Sequence, residues 1–271
     1  AAEDANRLDT DALASLVSIA AQRCLLLERL SEAELLRRSE SFKTALLSSV
    51  SHDMRTPLSA ITASASSLVR YGDELAEETR QDLLGVIEEQ CGRLNRYTSN
   101  LLNLGRLQAG LDPGGFMQCD ALEALGTAIS HARLLAPRQQ FEKLYSVDAA
   151  IVQADPVMLE QVFYNVLENA VRYGSEEWPV LIRASRADGL LLVEVEDKGR
   201  GIAPADRDRV FERFYRAGSE SGSEGSGLGL SIAKGFTEAF GGSISAHGRG
   251  EGQGTVIAIR LPLTGGEAAS P

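Results

Sequence analysis

Gly225-Ser226-Gly227-Leu228-Gly229-Leu230-Ser231-Ile232 is a glycine-rich run that opens a helix-like segment, and how it is read decides the fold. A dinucleotide fingerprint would place it after a strand inside a βαβ unit. No strand leads directly into it and no such unit surrounds it, so that reading fails. Glycines at the start of a helix instead leave free N–H groups and the positive dipole end facing an anion such as phosphate. The preceding stretch, Ala217 to Glu224, is small and polar and suits a lid that orders over a bound nucleotide.

Outward from this run, strands are expected near 145–153, 179–186, 190–196, 243–247 and 255–261, and helices near 120–136, 156–173, 204–212 and 227–240. Several strands follow one another through short turns. The expectation is an α+β fold, a two-layer sandwich with a mixed sheet. Residues 10–110 differ in kind, being nearly free of Pro and Gly except at Pro57 and the Tyr71-Gly72-Asp73 turn. Asp112-Pro113-Gly114-Gly115 places a domain boundary near 112–118.

In the helical region Leu47, Ser51, Met54, Leu58, Ile61, Ala65 and Leu68 are spaced alternately four and three apart, the seam of a bundle helix. Ile87, Leu94, Tyr97, Leu101 and Leu104 line one face of a second helix, about Glu77 to Gln108. One hairpin buries little, so a four-helix bundle from two chains is expected rather than a monomeric hairpin. Leu13, Leu16, Ala20, Leu27 and Leu30 continue a helical stripe upstream.

The 271 residues suffice for one to two domains, and 44% apolar with 24% charged residues is the balance of a globular protein. A net charge of −11 argues against broad binding to nucleic-acid phosphates. Cys24, Cys91 and Cys119 stand far apart with no CxxC pair, which fits a reducing, cytosolic setting. Leu13 to Leu27 is interrupted by Gln22 and Arg23 and falls short of the ~20 residues a membrane span needs. The opening AAEDAN lacks a Met, so the chain is expected to be a cytoplasmic fragment whose missing part holds a membrane or sensor region.

Ser51-His52-Asp53-Met54-Arg55-Thr56-Pro57-Leu58 is the most unusual local sequence. His52 adjoins a seam position and can reach solvent, while Pro57 lacks the N–H that would donate a hydrogen bond to the Asp53 carbonyl and is expected to kink the helix. A neighbouring carboxylate can fix the imidazole tautomer and leave the other nitrogen nucleophilic. Taken alone, such a pair is more often simply solvated.

With its RTP context, SHDMRTPL resembles the phosphoacceptor box of two-component sensor histidine kinases. Further boxes follow in that family's order. In Leu159 to Tyr173, Asn165 and Asn169 share a helix face where amide oxygens can take a hydrated Mg²⁺, and Arg172 can hold a phosphate. In Asp197-Lys198-Gly199-Arg200-Gly201-Ile202, a carboxylate at a strand end can accept from the adenine amine, and the glycines allow close backbone approach. Arg209 to Arg216 resembles the aromatic box that anchors the lid, and Gly252-Gln253-Gly254-Thr255 the closing glycine box. Alone, each is an ordinary turn, cap or core segment.

The resemblance, which covers residues 48–261, implies an ATP-binding sandwich of the Bergerat (GHKL) type behind a dimeric helical bundle. It implies ATP bound by Asn165, Asn169, Arg172, Tyr173, Asp197, Gly199, Gly201, Gly225, Gly227, Leu228, Gly229 and Thr255, with Mg²⁺ on Asn169. His52 is implied as phosphoacceptor, Asp53 as its orienting base, Arg216 as a charge stabiliser and Thr56 as a residue for dephosphorylating a partner response regulator. The implied domains are a helical linker from a GAF-like module at 1–40, a dimerisation and phosphotransfer domain at 41–112, a catalytic domain at 113–265 and a tail at 266–271. The residues before His52 are most similar to the KdpD-like branch. Arg172 stands where a lysine is commoner, and Gly174 where Ser or Thr is. An ATP-driven chaperone or topoisomerase-like clamp would lack the phosphoacceptor hairpin, and a nucleotide-binding scaffold without turnover would not require His52, Asn169 and Asp197 together.

Overall fold

The computed structural model describes residues 54–72, 74–216, 227–248 and 254–264. The chain divides into two compact units, Ala1–Leu94 and Asn95–Pro271. In the first, residues 54–71 are helical (α1), and the amides of Glu74 and Leu75 close a turn on the Tyr71 carbonyl before α2, Glu77–Ala109. Glu77 opens α2 with its carboxylate bonded by Arg80 and Gln81, at 2.8 Å each, which holds its pKa down at about 2. Gly110, at φ +81°, stops the helix with a left-handed residue. On α1 the seam side chain Leu58 is 51% exposed. Leu47, Ser51 and the upstream stripe lie outside the described residues.

The division falls inside α2, so Asn95 to Ala109 belongs to the second unit. There Leu104 is buried and the Leu107 side chain lies where Gly235 has no Cβ. A 3-10 turn at Pro113–Gly115 is capped by Asp112. The elements that follow are β1 (Met117–Asp120), α3 (Ala121–Leu135), β2 (Phe141–Tyr145), β3 (Ile151–Ala154), α4 (Pro156–Tyr173), β4 (Val180–Ala187), β5 (Leu190–Asp197), α5 (Gly229–Ala239), β6 (Ser243–Gly248) and β7 (Thr255–Pro262).

Five strands form a mixed sheet in the order β2-β4-β5-β7-β6, in which β2 runs parallel to β4 and the other pairs are antiparallel. Period two fixes its buried face: Ile182 and Ala184, Leu191, Val193 and Val195, and Ile257, Ile259 and Leu261. Against them pack α4 and α5, with α3 beside α4, giving two layers. Phe163, Val166, Ile232 and Phe236 are the helical half of this core.

Two expectations are corrected. The strand expected at 145–153 is two short strands in different sheets, since β2 joins the main sheet while β3 pairs antiparallel with β1. The helix expected at 204–212 is a pair of 3-10 turns, Pro204–Asp206 and Arg209–Phe211. Neither has a side-chain cap, and Phe214 at φ +62° turns the chain away soon after.

Candidate functional site

The alternation that buries Leu191, Val193 and Val195 puts Asp197, the last residue of β5, on the same face and therefore beneath the helical layer. Asp197 is 5% exposed. Its carboxylate accepts from the Gly199 amide at 2.9 Å and from the amide of Thr255, its partner in the β5–β7 register. Burial pushes the Asp197 carboxyl up, the two amides pull it back, and neighbouring Glu196 adds a further upward push. Glu196 itself, on the opposite face, is paired with Arg183 at 2.7 Å.

Glycines are required around this carboxylate. A Cβ on Gly199 would run into the Tyr173 carbonyl, and one on Gly174 into the Ala170 carbonyl. Gly254, at φ +86°, lies with its Cβ direction against the Asp197 carbonyl and donates to the Gly199 carbonyl at 3.1 Å. Asp197, Gly199, Gly254, Thr255, Tyr173 and Gly174 therefore form one tight cluster at the ends of β5 and α4. Gly201 has φ +78° in the same loop. Arg200 lies over the Tyr173 ring at 4.7 Å and Lys198 over Trp178 at 5.1 Å.

Pro156 opens α4 at a position that needs no amide, and Asp155 caps it by accepting from Val157 and Met158. Asn165 lies on the helix's buried face at 3% exposure; its Oδ1 accepts from Gln161 and its buried Nδ2 has no hydrogen-bond partner. Gly229 sets the first residue of α5 against it, with a built Cβ meeting Asn165 Oδ1 at 3.7 Å. One turn further on, Asn169 is half-buried.

Arg172 donates to Glu168 Oε1 at 2.8 Å, and Arg96 of α2 approaches the same oxygen at 3.4 Å. Burial raises the Tyr164 phenol; Glu168 raises it further, and Arg96 and Arg172 oppose that. Glu168 escapes a reading of the sequence, since its i+4 spacing to Arg172 looks like an ordinary helix-surface pair and Arg96 is remote along the chain.

The aromatic box is tied down. Tyr215 donates to Asp206 Oδ1 at 2.6 Å with Arg209 over its ring at 4.3 Å, and Phe211 is buried. The Phe214 amide bonds the Gly227 carbonyl at 3.0 Å, and Gly227, at φ +66°, would press a Cβ against the Phe214 backbone. This box and the start of α5 are thus fastened together; Leu228, at the cap of α5, is buried and Arg216 exposed. On α1, Thr56 is exposed and Pro57 buried. His52, Asp53, Gly225, Gly252 and the stretch Ala217 to Glu224 lie outside the described residues.

A buried carboxylate in a glycine cradle, at the ends of strands covered by helices, suits a planar ligand bearing an amino group. The orphaned Asn165 amide beside the α5 N-terminus suits an anion. ATP fits these donors. Mg²⁺ fits as well, because it takes few protein ligands and keeps its waters and phosphate oxygens, and the amide of Asn169 would hold it.

Residues 154–265 match the family model for histidine kinase-, DNA gyrase B- and HSP90-like ATPases, and residues 42–110 match that of the His Kinase A phospho-acceptor domain. Sensor protein KdpD of Mycobacterium tuberculosis is 34% identical over 236 residues, 86% of this chain and 27% of that protein. Among solved structures, the mycobacterial sensor histidine kinase MprB is 30% identical with a TM-score of 0.50, the match covering 55% of this chain and 97% of that one. Full-length ShkA in complex with AMPPNP is 28% identical with a TM-score of 0.56, covering 80% of this chain and 45% of that one. The chain belongs to the sensor histidine kinase family. It spans about a quarter of the length of the KdpD protein it matches. Among the described residues no helix is long and apolar enough to cross a membrane.

Proposed function

We propose that the chain is the cytoplasmic transmitter of a homodimeric sensor kinase that phosphorylates itself on His52 from ATP and passes the phosphoryl group to an aspartate of a response-regulator receiver domain. The observation that carries this reading is the pairing of one buried, glycine-cradled carboxylate, Asp197, with a phospho-acceptor match that spans SHDMRTPL. The domain reading is 1–40 for a linker, 41–112 for dimerisation and phosphotransfer, 113–265 for catalysis and 266–271 for the tail. Its second boundary follows α2 to its end, whereas the compact second unit begins earlier, at Asn95.

Asp197 accepts from the adenine amine, Thr255 and the Gly199 and Gly201 backbone shape the base pocket, and Tyr173 flanks it. Arg172 and the N-terminus of α5, with Gly225, Gly227, Leu228 and Gly229, hold phosphates. Asn169, with Asn165 alongside, would hold Mg²⁺, which when bound would supply charge neutralisation at the phosphates. Asp53 orients His52 and takes its proton. The free imidazole nitrogen attacks the γ-phosphorus; the new P–N bond forms as the bond from phosphorus to the β–γ bridging oxygen breaks, and ADP leaves. Arg216 stabilises the moving charge, and placement and electrostatics supply most of the rate. Thr56, one turn beyond His52, positions water against a docked phospho-aspartate.

Incubation with γ-labelled ATP and Mg²⁺ tests this. The expected product is labelled protein whose label is lost in acid and kept in alkali, the behaviour of phosphohistidine. Acid-stable label, or none, contradicts the reading.

A further inference from the structure

Glu168 draws two arginines to one of its oxygens. Its side chain is 14% exposed, Arg172 Nη2 stands at 2.8 Å from Oε1, and Arg96 Nε stands at 3.4 Å from that same atom. Arg172 comes from one turn along α4, and Arg96 from α2. The two cations are 32% and 28% exposed, so the trio is largely withdrawn from water.

We propose that Arg96 is a positioning residue for nucleotide binding, which compensates Glu168 when Arg172 turns from it to a phosphate of ATP. The proposal rests on the reading of Arg172 as a phosphate holder. Leaving a half-buried carboxylate without a partner is costly, because the charge keeps its desolvation penalty and loses its attraction. Were Arg172 the sole partner of Glu168, every phosphate contact it made would carry that cost. Arg96 removes it, since it already lies at Oε1 and comes from a different helix, free to stay when Arg172 departs. The guanidinium of Arg96 never touches ATP in this scheme; it acts through Glu168.

The sign of the effect separates this role from a packing role. In the full chain, titrated with a fluorescent ATP analogue and Mg²⁺, Arg96→Ala should weaken binding about three- to tenfold and Arg96→Lys should restore most of the loss. Glu168→Gln should leave binding at least as tight as in the unaltered chain, because the carboxylate charge no longer draws Arg172 away from the phosphates. In the Glu168→Gln background, Arg96→Ala should have no further effect. A loss of affinity in both single variants, or an Arg96→Ala loss that persists beside Glu168→Gln, overturns the proposal, and thermal melts of each variant show whether it is folded. Arg172→Ala is the control. Unchanged affinity in it overturns the phosphate role of Arg172 and this proposal together, whereas a loss there with no response to Arg96→Ala overturns this proposal alone.

Discussion

Asp197→Asn is expected to separate recognition from stability. Burial raises the carboxyl of the folded chain above its ordinary value of 3.8. The folded state then binds the proton more readily than the unfolded one, so stability falls as pH rises from 3.8 through the raised value and levels off beyond it. An asparagine has no such charge and keeps an oxygen that can accept from the Gly199 and Thr255 amides. The variant should therefore melt higher than the unaltered chain at neutral pH and converge with it below the ordinary carboxyl value. Binding of a fluorescent ATP analogue should weaken about ten- to a hundredfold, the worth of a charge-assisted hydrogen bond. A variant that melts lower at neutral pH, or binds unchanged, contradicts the role given to Asp197. Thr56 is exposed on α1 and distant in role from the nucleotide. Thr56→Ala should leave self-phosphorylation near normal and slow the clearance of phospho-regulator several-fold; clearance at the unaltered rate denies it that role.

At the scale of elements, the glycines differ in what they can accept. Gly254 is left-handed at φ +86° with its Cβ direction blocked by the Asp197 carbonyl, so Gly254→Ala should cost about 1–3 kcal/mol or more and disturb the β5–β7 end. Gly229 opens α5, where a Cβ meets only ordinary contact at Asn165, and Gly229→Ala should stay within about 1 kcal/mol. Denaturant melts of the two variants compare them directly; equal losses would deny the cradle its geometric cause. The same local chemistry explains what was legible in the sequence. α4 declares itself through Asp155, Pro156 and a long apolar stripe, and β5 and β7 through sustained apolar runs. β1 has no such signal, being four residues whose first two side chains are exposed, held only by pairing with β3. β2 owes its place to a parallel partner remote along the chain, β4. Arg209 to Phe214 carries apolar residues at helical spacing, but the segment has no side-chain cap and the left-handed Phe214 ends it after a short turn. In the site, Asp197 and its glycines were readable as a strand followed by a turn. The Glu168 pairing and the burial of Asn165 depend on α2 and α5, which only the fold brings to α4.

For the molecule as a whole, the exposed seam side chain Leu58, with Met54, Ile61, Leu94 and Leu101 on the expected stripes, calls for a second hairpin. Burying each large apolar side chain contributes about 1.5–3 kcal/mol. Light scattering at micromolar concentration should give a dimer mass without nucleotide, and Ile61→Glu should shift it to a monomer; a monomer mass for the unaltered chain refutes the bundle. The central claim joins the two units through one reaction, and His52→Ala tests it most directly. Incubated with γ-labelled ATP and Mg²⁺ beside the unaltered chain, the variant should bind the fluorescent ATP analogue with unchanged affinity and take up no label. Label on the His52→Ala chain comparable to that on the unaltered one would contradict the account.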